Sequence, residues 1–256
     1  MTHEAGVKVT ALRFGYGDDR LVLMGVDLDA PRGSVTAVVG PNGSGKSTLL
    51  KVMSAYLRPS AGSVAVIGVD PHSLSPAMRS TLVTYCGDEP EPAFEFTVEE
   101  TVRLGRVARE DDPEAAVRAM RQVGVFDLRD RAITTLSSGE RQRAYIARAI
   151  CQDPEVFLLD EPTAHLDMAY ELQVMEMVVT MAQDWGKTVI SVHHDLNLAL
   201  RYASKLFFLK DGLVRHSLEP HAVTAEVIGD VYAVRAVMAR HPSIGCPVVI
   251  PDYPLS

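Results

Sequence analysis

The chain has 256 residues, 47% hydrophobic and 23% charged, with a formal net charge of −8. That length and balance suit one sizeable folded domain with its own core, and the acidic excess argues against nucleic acid as the main partner, since a phosphate backbone needs a basic face. Cys86, Cys151 and Cys246 are far apart and form no CxxC pair, so a reduced protein without disulfides or zinc is expected.

The first six residues are polar, so no signal peptide is expected, and no run approaches the roughly 18 apolar residues that a bilayer span needs. Work at a membrane would require another chain as anchor. Residues 7–14 and 21–29 read as short strands around the turn Gly15-Tyr16-Gly17-Asp18. A third strand over 34–39 ends in a glycine-rich loop. A helix is predicted from Lys46 to about Leu57, stopped near Pro59, and further strands over 63–67 and 81–85.

The pattern over 97–152 turns helical and predicts a subdomain. Thr97-Val98-Glu99-Glu100 has the form of a capping box, and Pro113 suits the first turn of a second helix. Strand and helix then alternate: strand 156–160, helix 168–184, strand 188–192, helix 195–202, strand 206–210. That order predicts a parallel sheet with helical crossovers. The tail, 223–256, reads as an extension in which the apolar runs 231–238 and 248–250 form a hairpin around His241-Pro242-Ser243-Ile244-Gly245.

Gly40-Pro41-Asn42-Gly43-Ser44-Gly45-Lys46-Ser47 fits GxxxxGK[ST]. Glycines let backbone N–H groups approach phosphate oxygens with no Cβ in the way, and the helix beginning near Lys46 points its positive end at them. Lys46 is expected to neutralise the β- and γ-phosphates of a nucleotide and Ser47 to reach Mg²⁺, with Thr48 beside them. Val156-Phe157-Leu158-Leu159-Asp160-Glu161 is an apolar strand ending in two carboxylates. Alone this is a weak signal, because an aspartate at a strand end is often only a helix cap. After a P-loop, Asp160 is expected to support the metal and Glu161 to position the attacking water and take its proton.

Leu136-Ser137-Ser138-Gly139-Glu140-Arg141-Gln142 resembles the signature segment of ABC ATPases, written LSGGQ or LSGGE. Physically it is a serine and a glycine at a helix start, which serves equally as an ordinary N-cap. Its place just before the apolar strand and acidic pair matches that family. Smaller landmarks follow the family's order: Tyr16 as the aromatic that stacks on adenine, Asp167 in a D-loop His165-Leu166-Asp167, and His194, rather than His193, as the switch histidine of a His-Asp-Leu-Asn string. The resemblance covers nearly the whole chain and is nearest to the importer ATPases for iron-siderophore, haem and cobalamin. It rests there on 96–106, 160–167 and 241–247.

The resemblance implies an α/β fold: a P-loop NTPase core of the ABC type, with an N-terminal antiparallel β subdomain and an inserted helical subdomain, all in one domain over 1–256. It implies ATP and Mg²⁺ as cofactors, with Ser47, Asp160 and Asp88 near the metal. It also implies a homodimer that sandwiches two ATPs, so that Ser137, Ser138, Gly139 and Glu140 of one copy close on the nucleotide of the other. Partners would be integral-membrane permease subunits, which dock on 97–152, and indirectly an extracytoplasmic substrate-binding protein. The chain would sit on the cytoplasmic face of the cell membrane. Two positions depart from the pattern: Asp88 stands where glutamine is usual and Ser138 where glycine is usual. They motivate an alternative, a regulatory or non-transport ABC protein with weak hydrolysis.

Overall fold

The computed structural model describes residues 5–17, 21–87, 95–110 and 112–254. Strands β1 (Ala5–Gly15) and β2 (Leu21–Pro31) alternate buried and exposed residues, the signature of a sheet with one wet face. They pair antiparallel. Strand β3 (Val35–Val39) is buried at all five positions. After helix α1 (Lys46–Met53), β4 (Ala61–Val66) returns to pair with β1, closing a sheet of order β2-β1-β4.

Helix α1 ends earlier than its apolar pattern suggested. Ser54 turns its hydroxyl onto the Lys51 carbonyl, and Ala55 takes a left-handed backbone (φ 59°), which ends the helix without glycine or proline. A short helix α2 (Pro76–Leu82), capped by Ser75, then leads into β5 (Val83–Cys86). The helical segment holds α3 (Val98–Arg103), α4 (Pro113–Gln122) and α5 (Ser138–Gln152). Both α3 and α5 begin with full capping boxes, Thr97 with Glu100 and Ser137 with Glu140.

Strand β6 (Val156–Asp160), helix α6 (Met168–Gln183), strand β7 (Thr188–Val192), helix α7 (Leu196–Tyr202), strand β8 (Lys205–Lys210) and strand β9 (Leu213–Leu218) complete the core. The main sheet runs β5-β6-β7-β3-β8-β9 and is parallel except for β9. Because side chains alternate along a strand, this sheet feeds two cores. Val38, Leu158, Ile190, Val192, Phe207 and Leu209 face α1 and the antiparallel sheet. Ala37, Val39, Phe157, Leu159, Val189, Leu206 and Phe208 face the other helices.

Helix α8 (Ala225–Tyr232) lies in the tail, where no helix was expected. Ala233, left-handed at φ 54°, ends it and splits the apolar run 231–238 between helix and strand. Strands β10 (Val234–Arg240) and β11 (Pro247–Pro254) form an antiparallel hairpin.

Candidate functional site

The loop between β3 and α1 is shaped by close backbone approach. Gly40 has φ 151°, and a Cβ there would lie 1.9 Å from the Leu209 carbonyl oxygen, so no other residue fits. Gly45 precedes α1 at φ 103° and offers no side-chain cap, unlike Ser75, Thr97, Asp112, Ser137, Asp167 and Asp195 before helices α2 to α7. The first amides of α1 are therefore donors for an anion rather than for a cap. The Ser44 hydroxyl, buried in the same loop, has no partner among the described residues.

Lys46 is buried and folds back on the loop, donating from Nζ to the carbonyls of Gly40 (2.8 Å) and Pro41 (3.0 Å). Burial lowers its pKa, against the opposing pull of Glu161 and Asp160. A phosphate beside it would restore the favoured charge. Asn42, Gly43, Gly45, Lys46, Ser47 and Thr48 line one cradle together with Val22, Glu161 and His194.

Asp160, at the end of β6, is held at both oxygens: the Ser47 hydroxyl donates to Oδ1 at 3.1 Å and the Tyr85 hydroxyl to Oδ2 at 3.0 Å. Glu161 leaves the strand with a left-handed backbone, φ 54°, anchored by its N–H on the Val192 carbonyl. This strained turn sends its carboxylate toward β7, where His194 Nε2 lies 2.6 Å from Oε1. His193, its sequence neighbour, is buried instead. Its Nε2 pairs with the Ser191 hydroxyl at 2.7 Å, and burial pushes its pKa down to about 4. Hydroxyl and carboxylate oxygens are the hard donors Mg²⁺ prefers. Among the described residues no cluster of three His, Cys, Asp or Glu side chains could hold a metal alone, so Ser47 and Asp160 fit an ion bridged to a nucleotide.

Tyr16 is 65% exposed, stands edge-on to Phe14 (5.0 Å between ring centroids) and exchanges a hydrogen bond with Thr48 at 3.2 Å, which brings its ring beside the cradle. The signature residues Ser137, Ser138, Gly139 and Glu140 start α5 and are not among the cradle's lining. The Ser137 hydroxyl accepts the Glu140 N–H and donates to the Glu140 carboxylate at 2.8 Å. The Ser137 backbone N–H and that hydroxyl together lower the Glu140 pKa. Ser138 is exposed and faces a second cleft, shared with Ser47, Asp160, Glu161 and His165. Gly139 packs under the loop before α6: a Cβ there would sit 3.2 Å from Leu166 Cδ2 and 3.3 Å from the His165 carbonyl. Asp167 spends its carboxylate capping α6, accepting from the Ala169 and Tyr170 amides. Asp88 lies outside the described residues.

Tyr85 is the site residue that motif reasoning missed. It was visible only as the end of a strand, and nothing in its sequence context marks the hydroxyl that meets Asp160. The approach is close: a Cβ on Gly87 would lie 2.4 Å from that hydroxyl.

Comparison with known proteins agrees with this geometry. The family described as "ABC transporter" matches residues 23–164. The ferric enterobactin transport ATP-binding protein FepC of Escherichia coli is 36% identical over 94% of this chain and 92% of its own length. The cobalamin import ATP-binding protein BtuD of Halobacterium salinarum is 38% identical over 86% of this chain, which spans only 57% of that longer relative. Among solved structures, a chain of an inward-facing ABC transporter described as of metal-chelate type superposes with a TM-score of 0.81 at 25% identity, covering 98% of both chains. A P-loop, an acid pair and a signature segment on this fold, with these relatives, establish that the chain belongs to the ABC transporter family and carries its ATPase domain.

Proposed function

We propose that the chain is the ATP-hydrolysing subunit of an importer, driving uptake of a metal chelate through a separate membrane permease. Iron-siderophore is the first choice of cargo, with haem or cobalamin next. The carrying observation is the assembly around one P-loop of the Ser47–Asp160 bond at 3.1 Å and the Glu161–His194 pair at 2.6 Å. In this reading Tyr16 stacks on the adenine, while the loop amides from Gly40 to Thr48 and Lys46 hold the phosphates. Glu161 orients a water in line with the γ-phosphorus and takes its proton as the water–phosphorus bond forms and the bond to ADP breaks. His194 steadies Glu161 and reports the γ-phosphate. Mg²⁺, held by Ser47, Asp160 and, in this assignment, Asp88, would spread charge across the β- and γ-phosphates.

The position of the signature argues for a second copy. Ser137 and Gly139 are outside the cradle of their own chain, so a homodimer would bring them to the nucleotide of the other subunit, beside Asp167. Among the described residues no helix is long and apolar enough to cross a membrane. The helical subdomain, 97–152, exposes Leu104 and Val107, which supports it as the permease docking surface. The whole of 1–256 is read as a single ATPase domain at the cytoplasmic membrane face, extended by 223–256, with an extracytoplasmic binding protein as indirect partner.

Gentle capture of the chain from detergent-solubilised native membranes, followed by mass spectrometry, tests this. Polytopic subunits are the expected companions. Recovery of soluble partners alone from an intact preparation would favour the regulatory or non-transport alternative, as would a failure to release phosphate from Mg-ATP with a permease attached.

A further inference from the structure

The switch loop is tied to the C-terminal hairpin by one side chain. Asn197 donates from Nδ2 to the Val249 carbonyl (3.2 Å) and accepts the Val249 N–H at Oδ1 (2.7 Å). An amide side chain thus pairs with the edge of β11 as a neighbouring strand would. Val249 is buried in the core that holds α7. On its other side the same turn is held by Asp195, whose Oδ1 accepts the Asn197 amide at 2.7 Å and the Leu198 amide at 3.3 Å. The first turn of α7 is therefore clamped from two directions, and His194 immediately precedes it.

The end of α8 is buried as well: burial raises the phenol pKa of Tyr232, against a smaller opposing pull from the nearby Gly40 backbone. Helix α8 is itself seated on the core sheet, with Asp230 accepting from His216 of β9 at 2.7 Å and its carbonyl accepting from Lys210 of β8.

We propose that Asn197 is a positioning residue: by fastening the first turn of α7 to β11, it sets the place from which His194 meets Glu161, and so makes the C-terminal hairpin part of the ATPase machinery. The inference rests on the reading of His194 as the switch histidine. A free α7 turn would let the imidazole leave the 2.6 Å pairing distance, while the phosphate loop from Gly40 to Ser47, built between β3 and α1, would stay intact.

The test uses full-length chain with Mg-ATP. Asn197→Leu keeps the side chain's branching and heavy-atom count and removes both bonds; Val249→Pro removes the N–H from the other side. Each is expected to lower kcat about three- to tenfold with KM for ATP within about twofold, and the double variant should be no worse than the stronger single one. Hydrogen exchange at 194–198 should quicken in Asn197→Leu. The inference is overturned if Asn197→Leu keeps wild-type kcat while His194→Ala loses it. It is equally overturned if the loss in Asn197→Leu is shared by KM and the thermal midpoint and adds fully to that of Val249→Pro. If His194→Ala itself turns over at the wild-type rate, the switch assignment falls first and the inference with it.

Discussion

His193 and His194 are adjacent in sequence and opposite in surroundings. His194 is exposed against Glu161, while His193 is sealed beneath the site with its Nδ1 unpaired. Burial depresses the His193 pKa from 6.5 to about 4. A histidine kept neutral in the fold but free to charge when unfolded contributes stability that is present above pH 6.5 and lost as pH falls toward 4, because the unfolded chain then binds a proton the native state refuses. The shift corresponds to about 3 kcal/mol. Substituting His193→Gln should flatten the acid side of the thermal-midpoint profile between pH 6.5 and 4; an unaltered slope would show that His193 is not the group responsible. Tyr85 is the other residue whose part comes from surroundings alone. With its hydroxyl removed in Tyr85→Phe, Asp160 keeps only Ser47 as a hydrogen-bond partner among the described residues. The Mg²⁺ concentration for half-maximal turnover should then rise about tenfold, as for other outer-shell partners, while ATP binding measured in EDTA stays unchanged.

At the scale of elements, the P-loop is as much a packing solution as a binding motif. Gly40 passes against β8 so closely that Gly40→Ala must displace the Leu209 carbonyl. A loss of about 2–4 kcal/mol is expected in urea unfolding; a midpoint equal to wild type would mean the loop yields. What could be read from sequence divides along similar physical lines. Strands β6 and β7 fall at the residues expected, because five consecutive buried positions leave little freedom of boundary. The capping box at Thr97 is local chemistry and was legible as such, whereas at Ser137 only an N-cap was read and the structure adds the reciprocal Glu140 bond. Helix α2 buries none of its residues, so its apolar pattern says nothing, although Ser75-Pro76 is a start signal. The boundary at Ala233 and the early end of α1 at Ala55 rest on alanines in left-handed backbone, which no propensity marks. Within the site, Lys46, Ser47, Asp160 and Glu161 were readable because phosphate chemistry demands those types at fixed spacing. The Tyr85 and Asn197 bonds were not, since they join segments 75 and 52 residues apart.

For the whole molecule, the parallel core sheet carries phosphate loop, acid pair and His194 at one end, while the signature turn sits on the helical insertion with the Ser137 hydroxyl occupied by Glu140. On the proposed reading, a single copy would supply the phosphate-binding and proton-accepting residues and offer its signature to the nucleotide of another copy. Two copies closing on two ATPs would convert γ-phosphate contacts into a motion that attached membrane helices can follow. Lys46→Ala should abolish ATP-dependent association by removing the charge that holds the β- and γ-phosphates, with little change in fold by circular dichroism. The most direct measurement is sedimentation of Glu161→Gln with Mg-ATP. The variant keeps every phosphate contact and lacks the proton acceptor, so hydrolysis should fall by at least about a hundredfold, and a stable dimer holding two ATPs should form that disperses when ADP replaces ATP. A chain that remains monomeric at saturating Mg-ATP, or hydrolyses it at the wild-type rate without Glu161, would contradict the account.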